Sequence, residues 1–174
     1  MIISSASVAA QNKDSISHLI QLRLDTVFEK IKTEKDDEKL FELVLNIYYT
    51  GIEAYPLLYL DMSQRLYTLA KEKKNKMLEA SALSFFGQSY RMSGNYVKGL
   101  EYHHKAIALA ETVQSKSLLG ITQNQMAHIY KDRGEFDKAL KLYWSAMSNA
   151  RQGKTQEIIV WPSINLGAIY LVTN

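Results

Sequence analysis

The chain has 174 residues, 21 Lys+Arg against 18 Asp+Glu and 47% hydrophobic side chains, proportions of a globular protein with room for a real core. A formal charge of +3 falls short of the dense basic face of a nucleic-acid binder. The absence of cysteine excludes disulfides, thiolate nucleophiles and thiolate metal sites, and only eight glycines and two prolines argue against a turn-rich all-β chain.

Residues 1–13 open with an uncharged, small-residue run that closes on Val8, Ala9 and Ala10. It reads either as the end of a secretory signal peptide, with Val8 and Ala10 at the cleavage positions, or as a frayed tail. The first reading places the remainder in the periplasm and the second in the cytoplasm. No apolar run reaches the roughly 18 residues of a membrane-spanning helix, so no membrane contact is expected within this segment. Residues 14–33 read as one helix, either alone or as half of a degenerate repeat. Glu34–Lys39 forms a charged linker that supplies a helix N-cap.

From residue 38 onward the chain repeats itself. At an offset of 40, six identities join 83–110 to 123–150: Tyr90/Tyr130, Gly94/Gly134, Lys98/Lys138, Leu100/Leu140, Ala106/Ala146 and Ala110/Ala150. The same offset carries Gly87 and Ala127 to Gly167, and Tyr90 and Tyr130 to Tyr170. Backwards, it carries Leu100, Leu109 and Ala110 to Leu60, Leu69 and Ala70. The units fall at about 38–77, 78–117 and 118–157, with a partial unit over 158–174, and residues 14–174 are expected as one domain.

Each unit reads as a helix pair. Apolar positions three and four apart predict first helices over 78–92 and 118–132, and second helices over 96–113 and 136–151. Ser93-Gly94-Asn95 and Arg133-Gly134-Glu135 break each pair, where glycine can take the left-handed conformation that ends a helix. Small residues on the second helices (Gly99, Ala106 and Ala110; Ala139, Ala146 and Ala150) permit close approach to the first helices. The unit over 38–77 keeps the second-helix pattern at Leu60, Leu66, Leu69 and Ala70, but Tyr48, Tyr49, Thr50 and Gly51 replace the first-helix signature. Tyr90, Tyr130 and Tyr170 are expected to pack between helices, and Gly134→Val or Tyr130→Ala to cost a few kcal/mol.

The last segment, Glu157–Val172, is strongly apolar. A terminal repeat needs a polar outer face, so Trp161, Ile164, Ile169, Tyr170 and Leu171 would be left partly uncovered. The expectation is either that 1–174 is a fragment of a longer protein or that a homodimer buries the 158–172 helix.

The series Gly87, Tyr90, Gly94, Tyr96, Gly99, Ala106 and its copy Ala127, Tyr130, Gly134, Phe136, Ala139, Ala146 resembles tetratricopeptide repeats. The resemblance covers 78–172 clearly and 38–77 in part. Its long period, against the usual repeat of about 34 residues, is similar to extended variants of bacterial regulatory and sensor proteins. It implies an all-α fold, a right-handed α-α superhelix of three to four helix pairs. In such repeats the first helices line an inner groove. That selects Ser84, Phe85, Gln88, Arg91, Asn124, Gln125, His128 and Lys131 as a peptide-binding wall, with Ser81, Met92, Ile121, Asp132 and Tyr48 beside it. Amides would bond a peptide backbone, and Arg91 or Lys131 an acidic group. Asn124 with Lys131 is faintly similar to a carboxylate clamp.

Nothing in the chain supplies a catalytic constellation. There is no phosphate loop, nucleophile elbow or zinc-helix motif, and Ser81, Ser84 and Ser89 lack a nearby general base. Adjacent His103 and His104 diverge by about 100° on a helix, so they cannot share a metal ion, and they read as solvated residues of the convex surface. No enzyme activity, cofactor or metal is expected. The partner expected is a protein or peptide, or another domain of the same protein. The function expected is a non-catalytic interaction module, the sensory region of a larger bacterial signalling protein such as a membrane-anchored histidine kinase. The alternatives are a cytoplasmic peptide-responsive regulator of a DNA-binding domain and a self-associating scaffold.

Overall fold

A computed structural model describes residues 5–48, 55–153 and 156–173. Among these the regular elements are helices, in the order α1 (Ser5–Thr33), α2 (Asp37–Tyr48), α3 (Pro56–Lys73), α4 (Lys76–Met92), α5 (Tyr96–Thr112), α6 (Lys116–Asp132), α7 (Phe136–Gln152) and α8 (Gln156–Thr173). The chain is all-α, as expected. Tyr49, Thr50, Gly51 and the Trp161 side chain lie outside the described residues.

Helix α1 begins at Ser5, inside the stretch expected as a tail, because Ala6, Ala9 and Ala10 are strong helix formers. Packing divides the range expected as one domain into two units, residues 1–62 and 63–174. In the first, Ile20, Leu24, Phe28 and Ile31 form the buried stripe of α1, and Leu40, Val44 and Ile47 that of the adjoining α2. Asp36 caps α2, its carboxylate accepting from the Lys39 N–H at 2.9 Å.

The second unit repeats with a strict 40-residue register: α4 and α6 start at Lys76 and Lys116, and α5 and α7 at Tyr96 and Phe136. Each turn is fixed by the same backbone chemistry. Gly94 (φ 76°) donates to Arg91 O at 2.9 Å and Asn95 to Tyr90 O at 2.8 Å. Gly134 (φ 73°) donates to Lys131 O and Glu135 to Tyr130 O in the same way. This pair of bonds satisfies the last helical carbonyls and requires a left-handed residue after the cap. The links between pairs use the same motif without glycine, placing Lys74 (φ 53°) and Gln114 (φ 55°) in the left-handed region. Asn75 and Ser115 then cap α4 and α6 by accepting from Leu78 and Leu118 N–H groups.

Small residues bring the paired helices together, as expected. Gly99, Ala106 and Ala110 are buried on α5, and Ala139, Ala146 and Ala150 on α7. A Cβ at Gly99 would lie 3.1 Å from Gly87 O, and one at Gly120 3.0 Å from Ala146 O. Ala127, Ala139, Tyr143 and Met147 share a core with Leu166 and Ile169 of α8. Tyr90 is half-buried and stacks on Tyr102 with centroids 5.2 Å apart, and half-buried Tyr130 packs on the α6–α7 core. Tyr170 is about half exposed, as expected for the terminal segment and against its expected packing between helices, whereas Ile169, expected partly uncovered, is buried in the α7–α8 core.

The histidine pair also differs from its sequence reading. His104 is exposed, but His103 is completely buried against Gly87, whose added Cβ would sit 2.5 Å from the ring. The 40-residue register explains why: His103 occupies the position of buried Tyr143 in the next unit. It is a core residue.

Candidate functional site

The eight groove residues come from α4 and α6, and the structure places them in two groups. Ser84, Phe85, Gln88, Asn124 and Gln125 are buried. Instead of lining an open wall, Ser84 and Gln125 knit neighbouring helices. Ser84 Oγ donates to Gln125 Oε1 at 2.5 Å and accepts from Thr122 Oγ1 at 3.0 Å. These bonds span 41 and 38 residues of sequence. They are inter-repeat staples in a region where an unsatisfied hydroxyl would cost about 1–3 kcal/mol. Asn124 Oδ1 and Gln125 Nε2 are buried without a hydrogen-bond partner. Asn124 therefore presents no amide oxygen to a peptide, and Lys131 bonds to Asn165.

Arg91, His128 and Lys131 form the second group, half-buried at the rim. Arg91 Nε donates to Gln88 Oε1 at 2.9 Å, and its guanidinium pairs with Asp132 at 2.5 Å. Lys131 Nζ donates to Asn165 Oδ1 at 3.4 Å, while Asn165 Nδ2 lies 3.0 Å from His128 Nε2. The His128 ring also leans on Tyr143, with centroids 5.8 Å apart. Burial, with the Arg91 and Lys131 charges beside it, lowers the His128 pKa to about 3. His128 is therefore neutral near pH 7, and Nε2 can accept from the Asn165 amide.

The electrostatics of the rim follow from this pairing. Asp132 neutralises Arg91, and Lys131 has no carboxylate within ion-pair distance among the described residues. Thr122 and Asn165 were not selected from the sequence. Asn165 follows Phe85 and Gln125 at the 40-residue offset, a signal that identified its register but not its neighbours. Tyr48 belongs to the other unit.

Residues 78–152 match the family model described as tetratricopeptide repeat. Residues 78–152 form tetratricopeptide repeats. No curated protein and no solved structure matches the chain significantly. Tetratricopeptide repeats are protein-interaction modules that bind proteins or peptides. Among the described residues, no three metal-ligating side chains come together, and no helix is long and apolar enough to cross a membrane.

Proposed function

We propose that the tetratricopeptide segment is a non-catalytic module that binds an acidic peptide, or an acidic segment of another domain, at the rim of α4, α6 and α8. The observation that carries this reading is Lys131, a half-buried cation held at the rim by a neutral amide and lacking a carboxylate partner among the described residues. Partial burial raises the value of a charge-assisted bond, and Arg91 lies close enough in register to add a second cation when Asp132 yields it. Buried Ser84 and Gln125 bond α4 to α6, and with the buried Gln88 and Asn124 they do not touch the peptide. The long repeat, similar to that of bacterial sensor proteins, supports a place in the interaction or sensory region of a larger signalling protein.

The test is selection from a random displayed peptide library against the wild-type chain and Lys131→Glu. The reading expects enrichment of acidic peptides by the wild type, and at least about a tenfold loss of affinity in Lys131→Glu, the scale of a lost charge-assisted contact. Peptides that are neutral, or that bind Lys131→Glu equally well, would sink it.

A further inference from the structure

Helix α8 also carries exposed apolar side chains that the rim does not use. This helix is apolar on two sides. Pro162, Leu166 and Ile169 are buried along one side. On the other, Val160, Ile164, Gly167 and Leu171 are exposed, with Ile164 at 57% and Leu171 at 86%. Helical geometry places these four within an arc of about 60°, a continuous stripe.

The internal repeat shows what covers this stripe elsewhere in the molecule. Val160 corresponds to Ala80 and Gly120, Ile164 to Ser84 and Asn124, and Gly167 to Gly87 and Ala127. All six counterparts are buried. On α4, Gly87 is closed by the His103 ring of α5. On α6, Gly120 lies under Ala146 and Ala150 of α7, and Ala127 shares a core with Tyr143. At Gly167 an added Cβ would meet nothing within 4 Å. At Val160 and Gly167 the α8 stripe thus continues an interface that the chain builds twice, and its register specifies the missing side.

Both covering helices carry the same pattern: a small residue, a ring four positions later, and alanines at the seventh and eleventh positions after the first. On α5 these are Gly99, His103, Ala106 and Ala110; on α7 they are Ala139, Tyr143, Ala146 and Ala150. The ring fills the notch over the small residue, and the alanines let the backbones approach. Val160 is larger than its glycine and alanine counterparts, so a covering helix must bring its smallest residues there.

We propose that the Val160–Leu171 face of α8 docks an amphipathic partner helix bearing this small-ring-alanine face, seated as α7 is seated on α6. The ring enters over Gly167, and the alanines lie against Val160. The polar side of the partner helix faces solvent.

The test uses the full chain and a fluorescent peptide copying residues 135–153. A side-chain lactam between Asp137 and Lys141, both exposed on α7, holds the peptide helical, because an isolated helix of this length is marginal in water. The expected result is saturable binding that weakens about tenfold or more in Leu171→Asp and in Gly167→Leu. Binding should persist in Val97→Asp, a change at an exposed apolar residue on α5. A peptide with Ala146→Leu should also lose binding. Circular dichroism confirms that Gly167→Leu stays folded, as the open space around its Cβ requires. Absence of binding, or equal binding to Leu171→Asp and wild type, overturns the proposal. A dimer seen in sedimentation and dissolved by Ile164→Asp also overturns it, because a second copy then occupies the face.

Discussion

Acidification should unfold this protein through His103. Its imidazole is fully buried between α4 and α5, and neither ring nitrogen has a hydrogen-bond partner. Burial first, then the nearby His128, Arg91 and His104 charges, lowers its pKa from 6.5 to about 3. Between those values the unfolded chain binds a proton that the folded chain excludes, so stability is retained above pH 6.5 and falls as the pH drops below it. The slope is about 1.4 kcal/mol per pH unit, which amounts to about 2 kcal/mol by pH 5 from this group alone. His128, lowered in the same direction, adds to the loss. Urea unfolding followed by circular dichroism at pH 7.5 and pH 5 measures the total, and His103→Met isolates the contribution, since methionine fills the site without titrating. The wild type should lose about 2 kcal/mol more than the variant between the two pH values. Parallel pH dependence in the two proteins would refute the argument, whatever their absolute stabilities.

Gln114 and Lys74 hold left-handed conformations that glycine adopts without strain, so Gln114→Gly should raise stability by about 1 kcal/mol, visible as a higher melting temperature. Gly134→Val should cost about 1–2 kcal/mol, the penalty of its positive φ, because an added Cβ there meets nothing within 4 Å. Gly87→Val should cost more, about 3 kcal/mol, because its Cβ strikes the His103 ring; equal losses in chemical denaturation would contradict the packing. A double-mutant cycle on Arg91→Ala and Asp132→Ala should give a coupling below about 1 kcal/mol that fades in high salt, as expected of a partly exposed ion pair.

The sequence by itself determined the helix-pair architecture of residues 76–152, the turns and the repeat period. The reason is local: periodicity, caps and a glycine at the left-handed position inside each helix pair act over a few residues, and the 40-residue self-similarity copies them intact. Ala106 and Ala146 were legible as contact residues because one small side chain per helix turn has few other uses. The start of α1 was less legible, since an uncharged alanine-rich run suits both a helix and a leader sequence. What only the tertiary structure decided is which polar groups meet. Ser84 and Gln125 are far apart in sequence, and their bond depends on how α4 is rotated against α6. That rotation buried five of the eight expected wall residues, two of them bonded across the repeats, and left Arg91 and Lys131 at the rim. His103 follows the same logic, since the side chain of a histidine does not reveal its fate until the helix opposite supplies, at Gly87, the notch that buries it.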